Sequence, residues 1–319
     1  MNRLHGMLAL LFVVTAPGCA GGEVSTDDQT GAEGALSSGR YLALGDSVSF
    51  GYQPQIDPSS AKNFPAYPEG VAAKRREPVA NASCYGESSG SLLSVALPDH
   101  GCRSWRAAHP MKVQYSSAAE SQLQFALDYL GHNPTTDLIT LQVGANDVLI
   151  LQDSCTAAVQ QSACFAAGYA GCLASANPPA CLAQLGANCV AQCVGAALPA
   201  TLGNTAHNVG TAIGALRQAG YTKQIALVNY YATVYDPANP ETQAVAGLNQ
   251  ALAQVASTPA LGGVKLVDVF SVFGAAVQSS GKQPCELGLL AKNADGSCDK
   301  HPSFLGQGAI GLALLKAIQ

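Results

Sequence analysis

The sequence predicts an α/β fold in which a parallel sheet is covered on both faces by helices. Short apolar runs rich in branched residues recur at 41–44, 138–143, 225–228 and 264–269. Helix-like stretches lie between and after them at 121–130, 211–219, 242–256 and 304–318. Strands that alternate with helices need crossover connections, and these build parallel sheets with helices on both sides. The third observation is size: about 280 residues from Arg40 to Gln319 run without a composition shift, within the range of one large domain with a full core.

In chain order, Arg3 lies in a short polar start, followed by an apolar stretch at 7–14 and then Thr15-Ala16-Pro17-Gly18-Cys19. Residues 1–19 thus have the layout of a secretory signal, whose apolar core is too short to span a bilayer as a helix. A cysteine after small residues resembles a bacterial lipoprotein box, with Cys19 lipidated as the first mature residue; the alternative is simple cleavage nearby. Ala16 stands where such boxes usually have leucine. Residues 20–39 are small, polar and acidic and read as a flexible linker. The domain 40–319 then opens with the 41–44 strand, which ends in a glycine turn. Residues 78–84 supply a further candidate strand, followed by the 121–130 helix, the 138–143 strand, a cysteine-rich segment at 155–195, and the remaining strands and helices to residue 318.

Eleven cysteines occur, and setting Cys19 aside leaves ten, an even number in a chain that looks exported. Cys84 with Cys102 and Cys285 with Cys298 are local pairs. The other six lie between 155 and 193, arranged almost symmetrically about Ser175-Ala176-Asn177-Pro178-Pro179. Two alanine-rich helices folded back at that turn would join Cys172 to Cys181, Cys164 to Cys189 and Cys155 to Cys193. Zinc is the competing reading of clustered cysteines, but the spacings contain no Cys-x-x-Cys pair and no nearby histidine.

Charged residues are 12% of the chain, against about 25% in typical proteins, and the net charge is -5. Such a surface lacks the basic stripe that phosphate backbones require, which argues against nucleic-acid binding. Aromatic residues are 6% of the chain, which argues against a large aromatic sugar platform.

Four segments carry candidate chemistry. Gly45-Asp46-Ser47 follows the first strand directly; although Gly-Asp-Ser is also an ordinary turn sequence, a hydroxyl there stands at the carboxyl edge of a parallel sheet, where α/β folds bind ligands. Gly144-Ala145-Asn146-Asp147 follows the 138–143 strand and shares that edge, so the Asn146 amide can point at the same small volume. Between them Cys84-Tyr85-Gly86-Glu87-Ser88-Ser89-Gly90 offers Gly86, whose N–H could approach a substrate oxygen closely. Near the end, Asp299-Lys300-His301-Pro302 offers a base for a serine nucleophile and a carboxylate to orient it. Nucleophile, base, orienting acid and oxyanion donors are the parts needed for acyl transfer.

These blocks resemble the SGNH, or GDSL, hydrolase superfamily over nearly all of the chain from Leu42 to Ile318. Cys84-Tyr85-Gly86-Glu87-Ser88, Ser121-Gln122-Leu123, Leu141-Gln142-Val143-Gly144-Ala145-Asn146-Asp147 and Asn229-Tyr230-Tyr231 look most like its disulfide-containing bacterial lipases and esterases. The resemblance implies a flavodoxin-like, three-layer α/β/α sandwich around a five-stranded parallel sheet, with no metal or organic cofactor. It also implies Ser47 as nucleophile, His301 as general base, and the Ser47 N–H, Gly86 N–H and Asn146 amide as the oxyanion hole. Two departures stand out. Val48 replaces the common leucine, and Cys298 occupies the usual position of the acid, so that either Asp299 or a main-chain oxygen of its loop would orient His301.

Each residue also has a structural reading. Asp46 is expected to cap a turn or bond the Ser47 loop rather than transfer protons. Asp147 is expected to orient its own loop, and Gly144 is read as a turn residue. Glu87 and Ser88 either line the pocket or bond within their loop. His109 also precedes proline but has no carboxylate in the preceding residues. His100 and His207 read as surface or satisfied core residues, and His132 as part of a turn before Asn133-Pro134. Tyr230, Tyr231 and Tyr235 border the site or pack beneath it.

Together these features point to an exported, monomeric serine esterase or lipase acting on lipid or short-chain acyl esters and held at a bacterial membrane through Cys19, or else secreted or periplasmic. Polysaccharide O-acetyl groups are the alternative substrate. A ligand-binding surface lipoprotein without catalysis is the alternative of another class.

Overall fold

The first strand, β1 (Tyr41–Gly45), is buried at all five positions, as expected for a strand covered on both faces. The structure is a computed structural model that describes residues 41–319. The signal and linker read at 1–19 and 20–39 lie outside the described residues.

From β1 the chain runs through α1 (Ser47–Phe50) and α2 (Tyr67–Arg75) to β2 (Val79–Asn81), within the candidate strand at 78–84. It continues through α3 (Ser89–Leu93), α4 (Cys102–Ala108) and α5 (Gln122–His132) to β3 (Leu138–Gln142). Helix α5 starts where Ser121 and Gln124 form a reciprocal capping box. After β3 come three helices, α6 (Ala145–Ala158), α7 (Ala163–Leu173) and α8 (Pro178–Gln218). Then follow β4 (Gln224–Val228), α9 (Pro240–Ala256), β5 (Lys265–Val267), α10 (Val269–Ser280), a small hairpin of β6 (Leu290–Lys292) and β7 (Cys298–Pro302), and α11 (Phe304–Ala317).

The main sheet has five parallel strands in the order β2-β1-β3-β4-β5. Helices α2 and α11 pack against each other on one face, while α5, α8 and α9 cover the other. The connection from β1 leaves on one side of the sheet and the connection into β3 returns on the other. The chain therefore switches direction between β1 and β3, and a crevice opens at their carboxyl ends. Both the Gly45-Asp46-Ser47 turn and the Gly144-Ala145-Asn146-Asp147 turn stand at that crevice. Inside the sheet, the Tyr41 and Thr140 hydroxyls bond each other at 2.9 Å.

The ten cysteines of the described residues form the five expected pairs, Cys84–Cys102, Cys155–Cys193, Cys164–Cys189, Cys172–Cys181 and Cys285–Cys298. The hairpin differs from the expected pair of helices in two ways. Its first rung leaves from Cys155 near the end of α6, the helix that begins beside Asn146, and α7 carries the next two. Its returning arm and the helix expected at 211–219 are one 41-residue helix that runs through Pro199. A proline inside a helix removes one hydrogen bond at a cost of about 3 kcal/mol. Here the disulfides at Cys189 and Cys193 hold the helix above Pro199, and buried Thr205, Val209, Ala212, Ile213 and Leu216 hold it below. The β6–β7 hairpin was not legible as a periodic run; it is antiparallel and its second strand carries Asp299 and His301.

Candidate active site

Ser47 is the first residue of α1, so its N–H is one of those that a helix leaves without an intrahelical acceptor. Asp46 caps the helix by accepting the Val48 N–H at 2.9 Å, and among the described residues the Ser47 N–H has no acceptor. The preceding Gly45 has φ +150°, and a Cβ there would lie 2.3 Å from the Gln142 carbonyl oxygen of β3. Only glycine lets the nucleophile turn sit this close to the neighbouring strand.

His301 arrives from β7, 254 residues away, with Nε2 2.9 Å from Ser47 Oγ. Its Nδ1 bonds the Asp299 carboxylate, and the same Oδ1 accepts the His301 N–H at 2.8 Å. The Asp299 carboxylate thus reaches forward two residues along an extended strand, so the spacing one residue shorter than usual still meets the ring. Burial alone would raise the Asp299 carboxyl, but the hydrogen bonds and charge of His301 outweigh it and hold the group below its ordinary value. The Tyr231 hydroxyl donates to the Lys300 carbonyl at 2.7 Å and anchors the strand between acid and base.

Gly86 has φ +76°, and a Cβ on it would lie 2.3 Å from the His100 carbonyl oxygen. Its carbonyl accepts the His100 N–H at 2.8 Å, while among the described residues its own N–H has no acceptor. Asn146, in the first turn of α6, donates one Nδ2 proton to the Glu87 carbonyl at 2.8 Å. That bond orients the amide and leaves the second Nδ2 proton available. Ser47, Asn146 and His301 are 6%, 4% and 5% exposed, enough for contact with a substrate and little more.

Among the described residues no cation acts on Asp46. It accepts the Tyr230 hydroxyl at 2.5 Å as well as the Val48 N–H, and burial pushes its carboxyl from 3.8 to about 7. Asp147 differs from the expectation that it orients its own loop. Its oxygens accept the Ser89 N–H at 2.8 Å and the Ser89 hydroxyl at 2.5 Å, joining the Asn146 helix to the start of α3, just after Gly86. Ser88 caps α3. His100 pairs with the exposed Asp153 at 3.1 Å, and His109 packs on Trp105.

Three contributors had no role assigned to them in the sequence. Gln307 of α11 donates to the Val48 carbonyl at 2.9 Å and accepts the Tyr67 N–H at 2.9 Å, locking the nucleophile helix to α2 and α11. A lone glutamine at a buried position of an apolar helix was the available signal. Gln122 brackets the Gly45 peptide from the start of α5. The third is a cluster of aromatic rings beside the base, with Tyr52 4.8 Å and Tyr85 6.2 Å from the His301 ring and Trp105 packed against both tyrosines. The low aromatic content gave no hint of it, because composition does not report where rings gather.

Among the described residues, Cys84, Glu87 and Cys102 bring three potential metal-ligand atoms together. The two sulfurs are bonded to each other, which leaves one carboxylate and no ligand set.

Residues 43–306 match the GDSL-like lipase/acylhydrolase family. A comparison with curated proteins finds no match. Among solved structures, a phospholipase A1 from Streptomyces albidoflavus is 17% identical, with 88% of this chain and 100% of that one covered and a TM-score of 0.52. A lipase from a goat rumen metagenome is 16% identical, with 88% and 97% covered and a TM-score of 0.49. An acetylxylan esterase from Geobacillus stearothermophilus is 13% identical, with 89% and 96% covered and a TM-score of 0.47. The first of these shares the fold.

Proposed function

Because the chain belongs to the GDSL-like lipase/acylhydrolase family, we propose that it hydrolyses carboxylic esters through an acyl-enzyme formed on Ser47. Ser47 Oγ attacks the ester carbonyl as His301 Nε2 takes its proton, and the same proton then passes to the leaving alkoxide. Water, deprotonated by His301, releases the acid and restores the serine. Asp299 holds the ring with Nε2 toward the serine and stabilises the imidazolium that forms. The Ser47 N–H, the Gly86 N–H and the free Nδ2 proton of Asn146 receive the oxyanion.

The observation that carries this reading is the 2.9 Å contact between His301 Nε2 and Ser47 Oγ, with Nδ1 of the same ring on a carboxylate. Turnover of a short-chain chromogenic ester tests it. Ser47→Ala is expected to abolish turnover and the labelling of the chain by a fluorophosphonate; a Ser47→Ala variant that stays active refutes the assignment. Asn146→Ala, which removes one oxyanion donor, is expected to lower kcat by about 10²–10³-fold.

Five disulfides suggest an extracellular or periplasmic protein. The finer proposal is a monomeric lipoprotein anchored through Cys19, which rests on the Thr15-Ala16-Pro17-Gly18-Cys19 segment; the mass of the mature N-terminus tests it. For the substrate, the low charge of the chain and its proposed membrane anchor favour lipid or short-chain acyl esters. The rings of Tyr52, Tyr85 and Trp105 beside His301 favour a second reading, an O-acetylated glycan whose sugar faces stack there. Rates across esters of two to sixteen carbons and on an acetylated glycan separate the two.

A further inference from the structure

Glu87 follows the oxyanion glycine directly, is 2% exposed, and has no place in the proton transfers described above. Its side chain nevertheless meets the nucleophile turn. Glu87 Oε2 accepts one Nε2 proton of Gln122 at 2.6 Å, and Oε1 accepts the Ser91 hydroxyl. The other Gln122 Nε2 proton goes to the Gly45 carbonyl at 2.8 Å, while Gln122 Oε1 accepts the Gly45 N–H at 2.9 Å. Gln122 therefore grips both ends of the residue from which Asp46 and Ser47 project. That grip depends on which end of the amide is nitrogen.

The Gly45 N–H and carbonyl set that orientation, and Glu87 Oε2 takes the remaining Nε2 proton and holds the amide in place. Were the amide reversed, its oxygen would face both the Glu87 oxygen and the Gly45 carbonyl, and its nitrogen would face the Gly45 N–H, an arrangement with no hydrogen bond in it. Through its main chain Glu87 also accepts the Asn146 Nδ2 proton, so one residue touches an oxyanion donor and the support of the nucleophile. The geometry points to Glu87 as a positioning residue that acts through Gln122, fixing the Gly45 peptide and thereby the direction of Ser47 Oγ toward His301. This inference rests on Ser47 being the nucleophile.

The test is a double-mutant cycle in the full chain, reading kcat and KM for a short-chain chromogenic ester beside thermal stability. Glu87→Ala and Gln122→Ala are each expected to lower kcat about 10–100-fold, because small misplacements of a reacting group are costly. KM should stay within about two-fold, since substrate binding is untouched. The double variant should lose no more than the worse single one, the signature of two groups acting as a unit. Glu87→Gln keeps an acceptor facing Gln122 and should restore kcat to within about five-fold of the parent. Losses that multiply in the double variant, or an unchanged kcat in Glu87→Ala, overturn the inference. If Glu87→Ala does not fold, Glu87→Gln decides: a loss as large as that of Gln122→Ala overturns it. An active Ser47→Ala refutes the nucleophile itself, a separate result that none of these variants can produce.

Discussion

Asp46 precedes the nucleophile, yet its bonds make it a cap rather than a reactant. Its folded-state carboxyl is raised to about 7, so in the range where the unfolded chain has ionised it the fold still holds the proton. The resulting stabilisation is fully present below 3.8 and is lost as pH rises through about 7. Asp46→Asn cannot ionise, so its melting temperature, followed from pH 4 to 8, is expected to fall less steeply than that of the parent. Asp299 has the opposite shift, because an ionised carboxylate is what His301 needs. Asp299→Ala is expected to lower kcat by about 10²-fold or more, as turnover of the chromogenic ester would report.

At the scale of elements, the β6–β7 hairpin carries the base and is closed by Cys285–Cys298, with a separation of 13 residues. A loop of about that length gives a stabilisation of about 3 kcal/mol, and the crosslink also limits movement of the strand. The Cys285→Ala/Cys298→Ala pair is expected to lose activity at temperatures where circular dichroism still shows the folded chain. Parallel loss of both signals would count against a local role. Helix α9 offers a simpler comparison. Asn239 caps it by accepting the Glu241 and Thr242 N–H groups, and Asn239→Ala should cost about 1 kcal/mol in denaturant unfolding without changing kcat.

Across the whole molecule, the sheet brings together groups separated by more than two hundred residues, while the stapled hairpin extends from the same carboxyl edge. Helix α8 covers the sheet with its lower half and carries two of the three rungs with Cys189 and Cys193 above Pro199; Cys181, near its start, carries the last. Because the rungs are independent of the Ser47–His301 contact, Cys172→Ala/Cys181→Ala should leave short-ester turnover intact. The same variant should become easier to cleave by protease around residues 173–181. An equal loss of turnover would mean that the hairpin tip supports the site.

The sequence by itself pointed to the α/β class, four of the five main strands and a candidate for the fifth, the proposed cysteine partners and candidate residues for the site. Each of those signals is local: an apolar run, a glycine turn, a near-symmetric spacing. What only the tertiary structure decided depends on contacts that no short window contains. The length of α8 follows from disulfides on one side of Pro199 and core burial on the other. The reach of Asp299 to His301 follows from the extended backbone of β7, and the grip of Gln122 on Gly45 from the packing of α5 beside β1. The aromatic rings around His301 come from three separate loops and helices. Their gathering is a property of the folded chain, since residues far apart in sequence become neighbours only when the layers pack.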